Sequence, residues 1–201
     1  MKRVLSLLLS LLMVLTLFTA CTQTADNGGA EEADVIKIGV FEPLTVMNGG
    51  GGLQELGGIE YANKMYPEVL GKKIELVVVD NKSDKGEATT AVTRLIENDK
   101  VVAIIGSYGS AVSIAAGDII KDAQIPAMGA SCTNPMVTQG NEFYFRACFL
   151  DPFQGKVMAT YAIEQGAKTA AVIMQNGDDY SVGLANFFIN AFKDLPETRT
   201  V

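Results

Sequence analysis

The sequence predicts an α/β protein organised on a parallel sheet with helices on both faces, and three observations carry that reading. From residue 35 onward, short β-branched runs alternate with stretches of helical periodicity, the signature of repeated strand–helix–strand units. The third such run, Val101-Val-Ala-Ile-Ile105, breaks into Gly106-Ser-Tyr-Gly-Ser110, where small and hydroxyl-bearing residues open a helix. A buried parallel strand reads as a continuous apolar run, and the turn after its carboxyl end is where such sheets hold ligands. With 48% hydrophobic and 19% charged residues among 201, the chain also carries enough apolar material for a sizeable core.

In order, residues 35–41 form the first strand. Residues 42–52 follow as a loop, marked by Pro43 and four consecutive glycines, Gly49 to Gly52. This loop lacks the Gly-Lys-Ser/Thr ending of a phosphate loop and the spacing of a dinucleotide fingerprint, so it reads as a flexible rim or a plain loop. A helix over 53–65 stops before Pro67, and Gly71 turns the chain into a second strand at 73–80. Asp84 and Glu87 have capping-box spacing, and Ala91, Val92, Leu95 and Ile96 make one apolar stripe, so a helix runs to about residue 98. After the strand at 101–105 and the turn at 106–109, a helix over 110–122 carries Val112, Ile114, Ala115, Ile119 and Ile120. A short strand at 125–128 leads to the hydroxyl-rich loop Ala130-Ser-Cys-Thr-Asn-Pro135 and a strand at 143–149. Beyond Asp151 the pattern gives a helix ending near Gly166, a strand at 169–174, a loop at 176–181 and a helix at 182–193. Two strands and two helices are too few to bury both faces of an independent sheet. Residues 35–150 therefore read as a complete ligand-binding lobe and residues 151–201 as the opening of a second, incomplete one.

The residues before 35 carry a different message. Lys2 and Arg3 precede an apolar run over 4–20, broken only by Ser6, Ser10, Thr16 and Thr19. That is the layout of a secretory signal peptide, residues 1–20. Its end, Leu17-Phe-Thr-Ala-Cys21, resembles the bacterial lipoprotein box, which implies that Cys21 becomes the lipidated first residue of the mature protein; Phe18 stands where that box usually has Leu. Residues 21–34 are polar, acidic and aperiodic, a disordered tether.

Composition removes several function classes. The formal net charge is -7, and loss of the first twenty residues, which hold Lys2 and Arg3 and no acid, makes it -9. Such a chain repels phosphate backbones, and no basic patch with interleaved aromatics is present, so nucleic acid is not an expected partner. There is no histidine. A Ser-His-Asp triad and a His-bearing zinc site are thereby excluded, and neither a cofactor nor a metal is expected.

Five segments, taken together, carry a family resemblance. Ile38-Gly-Val-Phe-Glu-Pro-Leu-Thr45, Gly106-Ser-Tyr-Gly-Ser110, Ser131-Cys-Thr-Asn-Pro135, Arg146-Ala-Cys-Phe-Leu-Asp-Pro-Phe-Gln-Gly155 and Asp179-Tyr-Ser-Val-Gly-Leu184 resemble the extracytoplasmic solute-binding proteins of branched-chain amino-acid ABC importers. The resemblance spans residues 35–201 and implies the type I periplasmic-binding-protein fold, in a family whose chains are close to twice this long. It implies that Ser110 and Thr133 bind the α-carboxylate of a small amino acid or amide, with Ser131 as a neighbouring backbone contact. Tyr180 would close from the second lobe, and Tyr108 and Cys132 are secondary candidates. Permease subunits are the implied partners, together with a membrane reached through the lipid on Cys21. The residues agree independently: hydroxyls and free N–H groups at a helix start favour an anion. A simple helix cap at Ser110 and an ordinary turn hydroxyl at Thr133 are the plainer alternatives.

Two other functions are weighed beside the importer receptor. One is an exported ligand-sensing domain of the same fold that feeds a signalling receptor. The other is a hydrolase with Ser110 as nucleophile, which lacks both a Gly-x-Ser-x-Gly elbow and a histidine base. Cys132 and Cys148 form either a disulfide or a pair of free thiols.

Overall fold

A computed structural model describes residues 35–194 of the chain. The expected signal peptide (residues 1–20) and the expected lipidated tether (residues 21–34, with Cys21) lie outside the described residues. Strand β1 (Val35–Glu42) is followed by helix α1 (Gly49–Met65), a short β2 (Glu68–Val69), β3 (Lys72–Asp80) and α2 (Lys85–Glu97). Then come β4 (Ala103–Ile105), α3 (Ser110–Ala123), β5 (Ala127–Gly129), a single 3-10 turn at Pro135–Val137, β6 (Tyr144–Arg146), α4 (Asp151–Glu164) and α5 (Asp179–Asp194). The sheet order is β2-β3-β1-β4-β5-β6, parallel throughout except for the antiparallel edge strand β2.

Side-chain alternation divides the sheet between its two helical layers. Phe41, Val77, Val79 and Ile104 face Ala88, Val92 and Leu95 of α2 and Val112, Ala116 and Ile120 of α3, and this is the main core. Their neighbours Ile38, Ile74, Leu76 and Ile105 face the other way, toward Ile59 and Ala62 of α1. Because the sheet is parallel from β3 to β6, the carboxyl ends of β1, β4 and β5 lie along one edge, and the loops that follow them converge there.

The structure departs from the sequence reading at five main places. The glycine run is the first turn of α1 and not a loop: the Gly51 and Gly52 N–H groups both donate to the Asn48 carbonyl, at 3.1 Å each. Close approach explains it, since a Cβ on Gly52 would stand 1.9 Å from the Pro43 carbonyl oxygen. Strand β2 is absent from the sequence reading; Leu70 and Gly71, both left-handed (φ 53° and 76°), make a two-residue hairpin turn that pairs Val69 with Lys72. Residues 169–174 form no strand. A strand needs a neighbour to take its hydrogen bonds, and among the described residues none lies beside it, leaving Ile173 fully exposed. The last strand is trimmed to Tyr144–Arg146, and the last helix starts three residues early, at Asp179, taking Tyr180 into its first turn.

Candidate functional site

A cleft of about 770 Å³ opens at the carboxyl edge of the sheet. One wall is the turn after β4 and the loop after β5, with Tyr108, Gly109, Ser110, Ser131 and Thr133; the other holds Gln154, Gln175, Asp178, Tyr180 and Ser181. All four residues singled out for ligand contact, Ser110, Ser131, Thr133 and Tyr180, line this one cleft, and so does Tyr108. Cys132 does not. It is fully buried beneath Gly129, so tightly that a Cβ on that glycine would stand 2.1 Å from its sulfur, which removes it from the candidate contacts. Burial pushes its thiol up to about 11, an inert core group. Cys148 is half-buried and lines the cleft, and both cysteines are free thiols.

The turn that opens α3 depends on its backbone. Gly106 has φ 129°, and a Cβ there would lie 2.3 Å from the Phe41 carbonyl oxygen, so only glycine lets the chain pass β1 this closely. Ser113, one turn into α3, donates back to the Gly109 carbonyl at 3.0 Å, and Tyr144 donates to the Gly106 carbonyl at 2.6 Å from below. Ser110 is the first residue of the helix and is 1% exposed; its hydroxyl oxygen accepts the Asn134 N–H at 3.1 Å. Its own proton remains to be given. Thr133 is likewise buried, and its hydroxyl faces the Asp151 carboxylate closely enough to steady that charge, yet makes no hydrogen bond of normal geometry. Two buried hydroxyls, Ser110 with its proton uncommitted and Thr133 turned toward Asp151, thus stand beside the positive end of α3, a setting that favours an anion.

Other groups hold this cradle of hydroxyls in place. Arg146, at the end of β6, donates to the carbonyls of Cys132 and Asn134 (2.9 Å each) and Pro135 (3.2 Å) and to the Thr138 hydroxyl (2.7 Å), gathering the loop that carries Ser131 and Thr133. Asp151, fully buried at the start of α4, gives its N–H to the Thr133 carbonyl at 3.1 Å. Burial raises its carboxyl above the ordinary range, an effect opposed by Thr133 and by the charge of Arg146. Burial raises the Asp80 carboxyl, but the Thr45 hydroxyl and the N–H groups of Leu44 and Lys82 together outweigh it and hold the group low, which fixes the rim after β1. The two walls are tied by Asn134 donating to the Asp179 carbonyl at 2.9 Å and by a half-exposed ion pair between Lys85 and Asp179 at 2.8 Å. In the sequence reading Arg146 belongs to a family segment and has no role of its own. A basic residue ending a strand and preceding a loop rich in carbonyls is its only sequence signal.

Residues 35–195 match the family described as Periplasmic binding protein. The chain belongs to that family. Among solved structures, the periplasmic binding protein it resembles with 45% identity is the leucine binding protein LivK of Thermotoga maritima, with a TM-score of 0.77 over 79% of this chain and 45% of that one. The substrate-binding protein LivJ of Streptococcus pneumoniae, solved with isoleucine, is 31% identical with a TM-score of 0.74, covering 79% and 47%. A curated relative, an amino acid binding protein of Pseudomonas aeruginosa, is 32% identical over 158 residues, 77% of this chain and 42% of its own length. The chain thus spans about half the length of the proteins it matches. Solved structures of lower identity that share the fold include complexes with hydroxybenzoates.

A second cavity, about 530 Å³, runs between α1 and the sheet, walled by Ile38, Ile59, Ile74, Leu76 and Ile105. Gln54, Glu55, Asn63 and Tyr66 border it as well, but the surface it offers is mainly apolar, whereas a polar solute needs polar groups to orient it. A hydrolytic role for Ser110 finds no support either, since its hydrogen bond goes to a backbone amide and no carboxylate or lysine is bonded to it among the described residues.

Proposed function

We propose that this protein is the lipid-anchored substrate-binding component of an ABC importer, which takes a branched-chain or similar small amino acid or amide and delivers it to the permease. The observation that carries the reading is the pair of buried hydroxyls, Ser110 at the start of α3 and Thr133 in the loop after β5, which line one cleft, with the Ser110 proton uncommitted. A carboxylate seated there accepts hydrogen bonds from both hydroxyls and from backbone N–H groups of the helix start, without meeting a full positive charge. Tyr180, on the opposite wall, covers the ligand when the walls close, and the binding energy is spent on closure with no covalent step. Cys21, acylated, keeps the receptor at the membrane beside its permease. Names of the leucine, isoleucine and amino acid binding relatives support the ligand class.

Calorimetry on the complete polypeptide encoded by its reading frame tests this, with leucine, isoleucine, valine, small polar amino acids, short amides and benzoate as ligands. Ser110→Ala and Thr133→Val should each weaken the best ligand by roughly 5- to 100-fold, the loss of one hydrogen bond to a charged acceptor. No heat with any amino acid or amide would sink the assignment, and heat with benzoate alone would move it to aromatic acids.

A further inference from the structure

Glu42, at the carboxyl end of β1, is fully buried; its Oε2 accepts the Tyr108 N–H at 2.6 Å, while its Oε1 has no donor. Glu55, on α1, mirrors it: one oxygen accepts the Ser131 hydroxyl, and the other is buried without a donor. Glu55 acts on Glu42 both through its charge and as a side-chain hydrogen-bond neighbour, and the two unpartnered oxygens belong to residues that hold adjoining parts of the cleft wall, Tyr108 and Ser131. As two carboxylates they would repel and leave two buried acceptor oxygens orphaned. One proton between them removes the repulsion and gives both orphaned oxygens a partner.

We propose that Glu42 and Glu55 share a single proton and act as one buried strut that holds the Tyr108 amide and the Ser131 hydroxyl in position on the cleft wall. The inference rests on reading that cleft as the ligand site. Neither carboxyl lines the cleft, so both are positioning residues. The arrangement accounts for a buried acid that the cradle itself does not use. It also ties three separate segments, β1, α1 and the turn before α3, to the loop after β5.

The charge environment suits a shared proton. Burial is the main influence on Glu42 and pushes its carboxyl up to about 9; the Tyr108 N–H opposes this, and Glu55 adds to it. The other titratable groups nearby are Tyr144 of β6, whose buried phenol is held well above its ordinary range, and Cys148, which feels the charge of Glu55. None of the largest influences on Glu42 is a cation. When the proton leaves, two negative charges face each other and push β1 and α1 apart, and the Tyr108 amide and Ser131 hydroxyl, still bonded to those carboxylates, are carried with them.

Carbon-13 NMR of the complete polypeptide, labelled at the glutamate carboxyl carbons, reads the pair without any ligand. One carboxyl should stay protonated past neutral pH, titrate near pH 9 and vanish from the spectrum of Glu42→Gln. The Tyr108 and Ser131 amide resonances should shift with the same midpoint in the wild type and stay still in Glu42→Gln. Every glutamate titrating in the ordinary carboxylate range, or amides that do not move, would overturn the strut. With L-leucine as the probe, wild-type affinity should fall about tenfold across that midpoint, and Glu42→Gln, whose amide donates permanently to Glu55, should show no such fall. A flat leucine affinity while the carboxyl titrates would refute the positioning role. Absence of leucine binding at every pH would refute the amino-acid reading instead, and the spectra would still judge the pair.

Discussion

Glu42→Gln should flatten the pH dependence of stability between about pH 5 and pH 9, and the size of the effect follows from one proton. In the unfolded chain Glu42 ionises near 4.5, whereas in the folded protein its carboxyl holds its proton up to about 9. Between those values the folded state binds one more proton than the unfolded state. The stabilising contribution of the neutral acid is therefore complete below the unfolded value and is lost as pH rises toward the folded one. Each pH unit in that window removes about 1.4 kcal/mol, so the step from about pH 5.5 to about pH 8.5 removes roughly 4 kcal/mol. For a domain of this size that is a fall of about 10 °C in Tm. The glutamine that replaces Glu42 carries no titrating proton, so the difference between wild type and variant isolates the one group. Asp151 titrates alike in both proteins, and Cys132 and Tyr144 lose their protons only above the window. The assay is urea unfolding of the two proteins at closely spaced pH, followed by circular dichroism. Parallel stability curves, differing by less than about 0.5 kcal/mol in slope across the window, would refute the reasoning.

Three further substitutions probe the entry to the cleft and the proposed membrane anchor. Gly50→Ala should raise stability by about 0.5 kcal/mol, because nothing lies within 4 Å of its Cβ position and alanine favours the helix. Gly52→Ala, two residues on, should cost about 2 kcal/mol or more, because its Cβ meets the Pro43 carbonyl, and it should also weaken ligand binding by displacing Val46, Met47 and Asn48 from the cleft rim. Thermal melts and calorimetry of the two variants decide it, and equal effects would contradict the close approach. Cys21→Ser should move the protein from the membrane fraction to the soluble fraction of its host; retention in the membrane fraction would remove the anchor from the proposal.

Much of the scaffold was legible because its cause is local. Val77, Val79, Ile104, Val92 and Leu95 are buried because of alternation and helical spacing written in consecutive residues, and Asp84 caps α2 through the Glu87 N–H as its spacing implies. The capping box is nonetheless half made: the Glu87 carboxylate turns to Lys82 at 3.0 Å, and the Asp84 N–H finds the Asn81 carbonyl instead. The hydroxyls of the cradle were also legible, since Ser110 opens a helix and Thr133 sits in a loop after a strand.

What stayed hidden has its cause in another part of the chain. The glycines at 49–52 have loop propensity, yet they form the first turn of a helix, where Leu44 lies against Gly49 and Pro43 against Gly52, the latter too closely for a side chain. Residues 169–174 carry a sound strand pattern, but pairing is a property of two segments, and the second is not among the described residues. Glu42 and Arg146 are the sharper case. A charged residue at the end of a strand ordinarily reads as solvent-facing, yet one is sealed under the turn before α3 and the other is spent on three carbonyls and a hydroxyl of the loop after β5. Both bind backbone groups of distant loops, and backbone groups leave no mark in the sequence. A site built from hydroxyls and amides needs such side chains behind it, because hydroxyls and amides act only in the right geometry, and Glu42 and Arg146 hold that geometry without lining the cleft themselves.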